Sequence, residues 1–110
     1  SFSTSLRWVL NDRLPVKVRV HAFCWVIESF CWLTHSSFQE VLADTGRKHS
    51  FDLQTKPDID HIVRAAKELE QIRSAFLLDV SAYRNLRRQQ KTLGIRRPLR
   101  AVMDPRGGRP

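Results

Sequence analysis

The chain has 110 residues, the size of one small domain. Hydrophobic residues make up 42% of the chain and charged residues 27%, a balance that favours a globular chain over a disordered one. The net charge of +8 predicts an acidic partner: nucleic acid, anionic lipid or an acidic protein surface. A membrane-spanning helix needs about 20 apolar residues, and the longest apolar-rich run, residues 22–33, is shorter and contains Glu28. We therefore predict a globular chain without a transmembrane span.

The first twelve residues begin with the stretch SFSTSLRW. Small and hydroxylated residues with Phe2 near the start are similar to what remains after a mitochondrial presequence is cleaved. We therefore expect a mitochondrial protein, on the matrix side or peripheral on the inner membrane. An expressed fragment of a longer chain is the alternative. For residues 1–12 we expect an extended segment or a loose turn of helix.

A first long helix is predicted over about residues 16–43, with Pro15 in its first turn. The tripeptide Phe-Cys-Trp occurs twice in it, seven residues apart, so the same face returns after two turns. Trp25 and Trp32 lie beside the stripe of Phe23, Ile27 and Phe30. Such residues, exposed on a monomer, form an apolar patch of the kind that marks an interface. We therefore predict partner contacts at Trp25, Trp32 and Phe38.

Residues 44–52 are predicted to break the helical pattern, with Gly46 ending the first helix. A second helix is predicted over about residues 57–93, with Pro57 at its first position. Its apolar residues recur in steps of three and four, which places one stripe on one face. The stripe comprises Ile59, Ile62, Val63, Ala66, Leu69, Ile72 and Phe76.

The second helix either runs unbroken to Leu93 or bends near residues 79–81 to make two helices. We favour the bend, because so long a helix is rare in a small domain. Gly94 is predicted to cap the last helix, and residues 96–110 to form an extended tail rich in Arg, Pro and Gly. The predicted fold is all-α: one helical domain, residues 1–95, built as a helix–turn–helix or superhelical array, with a basic tail.

The positive charge is concentrated late in the chain. Residues 84–109 contain eight Arg and one Lys against one Asp, so the first 83 residues are close to balanced. We expect this part to meet acidic protein surfaces or anionic lipid headgroups, and RNA phosphates are the alternative. The tail has no aromatic residues for base stacking. The predicted contact residues in this part are Tyr83, Arg87, Arg88, Arg96, Arg97 and Arg100.

His21, Cys24, Cys31 and His35 have a spacing that suggests a zinc site. On a helix, however, the set spans roughly 21 Å at ~1.5 Å per residue, and one ion cannot reach all four side chains. The two cysteines, about 10 Å apart on such a helix, are also too far apart for a disulfide. No Cys–His motif and no glycine-rich phosphate loop is present. We predict no metal, no cofactor and no catalytic residue, and hence no enzyme.

Residues 51–95 contain a series of short motifs. The triplet Phe51-Asp52-Leu53 precedes Pro57, the run 63–67 (Val-Arg-Ala-Ala-Lys) follows, and Leu-Arg and Leu-Gly-Ile occur at 86–87 and 93–95. This region resembles the signature of the matrix-side subunit of mitochondrial cytochrome c oxidase, called Va in animals and VI in yeasts. The resemblance covers less than half of the chain. It implies a helical superhelix similar to tetratricopeptide repeats, with a structural role and no cofactor.

From the resemblance we expect a non-catalytic accessory subunit of a large mitochondrial assembly, bound to the other protein subunits. A respiratory-chain complex, with a subunit like Va of cytochrome c oxidase, comes first. An accessory subunit of another respiratory complex or of ATP synthase comes second. A mitochondrial ribosomal protein that binds rRNA through its basic C-terminal segment is the alternative of a different class.

Overall fold

The structure is a computed structural model that describes residues 1–93, apart from the side chains of residues 83, 86, 87 and 90–93. The described chain forms four α-helices: α1 (Phe2–Leu10), α2 (Val16–Thr34), α3 (Phe38–His49) and α4 (Ile59–Leu93). Within this part the only extended pairing is an isolated bridge between Asp52 and Lys56. The prediction of an all-α fold is confirmed. The predicted cap at Gly94 and the tail 96–110 lie outside the described residues.

The N-terminal residues form a regular helix, α1, instead of the extended segment or loose turn that we expected. Ser1 is its N-cap, and the Ser1 hydroxyl accepts a hydrogen bond from the Thr4 backbone N–H at 3.3 Å. Phe2, Leu6 and Val9 follow at steps of four and three and are all buried. Burial of this apolar face is what stabilises so short a helix, because nine residues are too few to be helical alone in water.

The prediction of one helix over residues 16–43 is wrong, because the chain turns between α2 and α3. His35 ends α2 in the left-handed conformation, with φ of 57°. Ser37 then caps α3, and its hydroxyl accepts a hydrogen bond from the Glu40 backbone N–H at 3.4 Å. Ser at the N-cap with Glu three residues later is the capping-box pattern. Helix α3 therefore begins within a stretch whose apolar spacing, taken alone, predicts one continuous helix.

Gly46 does not end the helix before it, as we had predicted, but lies inside α3. The helix continues to His49 and is capped by Ser50, which has φ of 58°. A Cβ atom at residue 46 would lie only 2.8 Å from the carbonyl oxygen of Phe51. The Phe51 N–H in turn donates to the Gly46 carbonyl at 3.0 Å. The glycine is needed there because the chain after α3 folds back against this turn.

The last helix, α4, begins at Ile59 rather than at Pro57, because Asp58 caps it. The Asp58 carboxylate accepts hydrogen bonds from the backbone N–H groups of Asp60, at 3.1 Å, and His61, at 3.4 Å. From there α4 runs as one helix to Leu93, so residues 79–81 do not divide it. No Gly or Pro in that stretch disrupts the backbone hydrogen bonds, and this local continuity overrides the rarity of long helices.

The hydrophobic core lies within the compact unit Ser1–Arg73; the second unit, Ser74–Pro110, includes the rest of α4. Phe51 reaches this core from the α3–α4 connection and meets Phe23 edge to face, with ring centroids 5.5 Å apart. The predicted apolar stripe of α4 is not buried at Ile72, because this side chain is 46% exposed. The largest fully buried side chains are Val9, Phe23, Val26, Ile27, Ile62 and Leu69.

Candidate functional site

The outward side of α2 carries two exposed tryptophans. Trp25 is 53% exposed and Trp32 is 78% exposed. Seven residues make nearly two helical turns, so both side chains lie on the same face, about 10 Å apart along the axis. The opposite face of the helix buries Phe23, Ile27 and Phe30. The exposed positions of Trp25 and Trp32 are those that the sequence pattern predicts.

Trp8 extends this surface onto α1. It is 52% exposed and, together with Trp25, lines a groove of about 310 Å³ between α1 and α2. We call the surface formed by Trp8, Trp25 and Trp32 the tryptophan face. Trp8 was not among the predicted contact residues, because residues 1–12 were not expected to form a regular helix. The spacing of Phe2, Leu6 and Val9 was the signal that could have shown the helix. The groove is lined by Trp8, Lys17, Val18, His21, Ala22 and Trp25.

A buried arginine fixes α1 against α2 below this groove. Arg19, only 9% exposed, donates a hydrogen bond from Nε to the backbone carbonyl oxygen of Val9 at 2.8 Å. Val9 lies in the last turn of α1, where the carbonyl groups have no partner within the helix and the helix dipole is negative. The guanidinium therefore caps α1 from its neighbour. This contact holds the turn that carries Trp8 beside Trp25.

The ionisable side chains that line the groove are both basic: Lys17 and His21. The His21 ring contacts the Trp25 ring with centroids 5.5 Å apart and planes tilted by 57°. Neither basic side chain has an ion-pair partner among the described residues. Farther along α2, the exposed Glu28 lies between Trp25 and Trp32 on the same face. The tryptophan face thus has a basic end at the groove and an acidic residue in its middle.

No family model, no curated protein and no solved structure matches this chain in comparisons with known proteins. The residues that carry the resemblance to the oxidase subunit nevertheless have clear structural places. Phe51, Ala65, Ala66 and Leu69 belong to the core, and an Asp52 carboxylate oxygen accepts the Gln54 backbone N–H at 2.9 Å. These residue types therefore also serve the packing of the α3–α4 connection and of the buried face of α4.

Phe38 differs from the tryptophans because it packs against the core. It begins α3 and is half-buried. It also lines a second, wider groove of about 570 Å³, together with Cys24, Leu42 and Leu53. The predicted partner residues on the first part of the chain therefore belong to two features: Trp25 and Trp32 to the tryptophan face, and Phe38 to the edge of the core.

The remaining predicted contact residues lie in or beyond the second half of α4. Arg88 is exposed on that helix. Tyr83 and Arg87 are in the same helix, but their side chains lie outside the described part. Arg96, Arg97 and Arg100 lie beyond the described residues. Their predicted partner contacts stay predictions.

The histidine and cysteine set lies on α2, as the helical spacing predicted. His21, Cys24 and Cys31 are in the helix, and His35 is its C-cap. Both cysteines are free thiols, and burial raises the pKa of each, so little thiolate is present for metal binding or nucleophilic attack. Within residues 1–93, no group of three or more His, Cys, Asp or Glu side chains is arranged to hold a metal ion.

A charged cluster ties α3 to α4. Glu68 on α4 pairs with Lys48 Nζ, and the Nε2 atom of His49 lies 3.3 Å from its second carboxylate oxygen. The hydrogen bond from Lys48, followed by the contact with His49, holds the pKa of Glu68 below its usual range. The cluster joins consecutive helices, which gives it a structural role.

No helix in residues 1–93 is both long enough and apolar enough to cross a bilayer.

Proposed function

We propose that this chain is a non-catalytic accessory subunit that attaches to a larger protein assembly through its tryptophan face. The observation that carries the proposal is the placement of Trp8, Trp25 and Trp32. These are all the tryptophans of the chain, each is more than half exposed, and α1 and α2 present them together. Large exposed aromatic residues of this kind are typical of the energetic centre of protein interfaces.

The energy available at this face is large for so small a domain. A tryptophan buries roughly 150–250 Å² when fully covered, so covering the exposed half or more of each removes about 100 Å² from water. At ~25 cal/mol per Å² this contributes on the order of 2–3 kcal/mol for each tryptophan before ordering costs. Leaving all three in water forgoes this stabilisation, which favours a bound state.

The assembly we propose is mitochondrial, with a respiratory-chain complex first. The support is the resemblance of residues 51–95 to subunit Va of cytochrome c oxidase. In this proposal the subunit lies on the matrix side or peripherally on the inner membrane, among other protein subunits. Its late arginines, including Arg96, Arg97 and Arg100, meet acidic protein surfaces or lipid headgroups. It needs no cofactor and performs no chemistry.

A second candidate is supported by the charge distribution. The whole net charge of +8 lies in residues 84–109. A basic segment separate from a charge-balanced domain suits a mitochondrial ribosomal protein, whose C-terminal arginines would neutralise rRNA phosphates. The tryptophan face would then contact a neighbouring ribosomal protein.

The test is co-migration of the full chain on a native gel. With the proposed function, the chain runs with a large protein assembly, and with haem a if that assembly is cytochrome c oxidase. Changing Trp25 and Trp32 together to alanine should release it. A control with Lys67 and Glu70 changed to alanine, on the exposed polar side of α4, should stay bound.

Three results would count against this assignment. Release of the chain by nuclease, with no effect of detergent, would favour the ribosomal candidate. A chain that runs alone, or whose tryptophan emission in the assembly is that of indole in water, would refute attachment through the tryptophan face.

A further inference from the structure

We propose that the α1–α2 groove binds a segment of a partner protein that presents a large apolar side chain next to a carboxylate. This inference rests on the proposed function and names the chemistry that the tryptophan face recognises. The groove is the part of the tryptophan face that encloses a volume and is lined by the basic residues Lys17 and His21.

The apolar requirement follows from the walls. Trp8 and Trp25 form two sides, and Val18 and Ala22 complete the apolar lining. The volume of about 310 Å³ is at the lower end of the ~300–1,000 Å³ range of ligand pockets. It suits one bulky side chain rather than a whole helix. The shape exists before binding, because the hydrogen bond of Arg19 to the Val9 carbonyl holds the two helices together.

The carboxylate requirement follows from the charge of the rim. Lys17 and His21 line the groove, and no Asp or Glu does. The Lys17 ammonium has no ion-pair partner among the described residues. A carboxylate beside the apolar anchor would pair with it at the edge of a partly water-excluded site. A basic partner would instead bring like charges together.

The occupant is protein rather than lipid or RNA because of the residues around the groove. Glu28 is exposed between Trp25 and Trp32, so an anionic lipid surface that covered both tryptophans would press its phosphates against a carboxylate. RNA binding on exposed aromatic residues calls for a positively charged surface that follows the phosphates, whereas Glu28 lies on this face and residues 1–83 contain as many Asp and Glu as Lys and Arg. A protein segment can place one carboxylate at Lys17 and leave Glu28 beside a neutral or basic residue.

The experiment uses the full chain in its assembly, with the photo-reactive residue p-benzoylphenylalanine in place of Val18. After irradiation, the adduct is mapped by mass spectrometry. We expect a cross-link to a protein segment with Asp or Glu within one helical turn of the linked residue. In the same background, Lys17→Glu should lower the adduct yield by about tenfold or more, since like charges facing each other cost several kcal/mol.

His21→Glu is a second variant with the same expected loss, so the test does not depend on one substitution. Lys56→Glu, in the α3–α4 connection and outside the groove lining, is the matched control and should leave the yield unchanged. An adduct with lipid, with RNA or with a second copy of this chain would overturn the inference. So would the absence of an adduct, or a yield that neither glutamate substitution lowers.

A native gel of the same samples separates the two proposals. If the subunit stays in a protein assembly while residue 18 forms no adduct with an acidic segment, the inference fails and the proposed function stands. If the subunit runs alone, the proposed function fails as well.

Discussion

Replacing Arg19 with methionine should destabilise the helical unit by about 1–3 kcal/mol. Methionine keeps an unbranched apolar stem but lacks the guanidinium, so the change retains much of the stem's packing. It removes the hydrogen bond from Nε to the Val9 carbonyl at 2.8 Å, and a hydrogen bond from a charged group contributes ~1.5–3 kcal/mol. It also removes a positive charge from the end of α1, which contributes on the order of 0.3–2 kcal/mol through the helix dipole.

Desolvation opposes both contributions. Moving a cation out of water costs several kcal/mol, and an apolar replacement of a buried charge is often neutral or stabilising. Three features make the hydrogen bond and the helix-dipole interaction outweigh the cost of desolvation here. The guanidinium is weakly hydrated to begin with, the residue keeps some exposure, and without it the Val9 carbonyl loses its side-chain partner. We therefore expect a net loss of stability.

The measurement is urea denaturation of wild type, Arg19→Met and the control Arg13→Met, followed by far-UV circular dichroism. Arg13 is exposed in the α1–α2 connection, and its replacement should change the free energy of unfolding by no more than about 0.5 kcal/mol. If Arg19→Met unfolds at the same or a higher urea concentration than wild type, desolvation outweighs the cap. Arg19 would then not be the residue that fixes the groove.

Four further variants test the packing and the charged cluster. Gly46→Ala should cost about 1–3 kcal/mol in thermal unfolding, because its Cβ would lie 2.8 Å from the Phe51 carbonyl oxygen; an unchanged Tm would contradict this close approach. Glu68→Gln should be less stable than wild type near neutral pH, and the difference should vanish as the pH falls through the lowered pKa of Glu68, because the protonated carboxyl no longer gains from its lysine partner. A pH-independent difference in urea melts would exclude this cause. Ile62→Ala, at a fully buried position, should cost ~2–5 kcal/mol, whereas Ile72→Ala, at a half-exposed one, should cost far less; equal losses would show that the predicted stripe of α4 does continue past Leu69.

The parts of the fold that the sequence predicts are those where spacing and burial agree. The three- and four-residue steps of Ile62, Ala66 and Leu69 predict the buried face of α4, and all three are buried. The same argument places Trp25 and Trp32 outside the core, because they lie beside the stripe that α2 buries.

The boundary between α2 and α3 could not be obtained from spacing, because two signals conflict there. The apolar residues Phe30 and Phe38 stay in helical register across the turn, so periodicity alone predicts one helix. Capping chemistry predicts the break: Ser37 and Glu40 have capping-box spacing, and His35 takes the left-handed conformation. Local hydrogen bonding overrides the hydrophobic pattern at this point.

The groove was missed for a related reason. Its two walls come from different helices, and the short α1 was not expected to be regular. A pattern along one helix cannot show that Trp8 lies opposite Trp25, since that depends on how α1 packs. The buried Arg19 gives no sequence signal of its own either, because an arginine in a basic stretch suggests a solvated residue.

If the chain attaches through its tryptophan face as we propose, the charge distribution bears on which kind of surface that face meets. Residues 1–83 contain ten Lys and Arg and ten Asp and Glu, so this part, with its histidines neutral, has no net charge to attract nucleic acid. The basic excess lies entirely in residues 84–109, which a ribosomal role would place on rRNA and a respiratory role on acidic protein or lipid. In both cases the aromatic surface is carried by the charge-balanced part. Burial of Trp8, Trp25 and Trp32 therefore calls for a protein surface in either assembly, and the acidic character expected of the groove's partner applies to both.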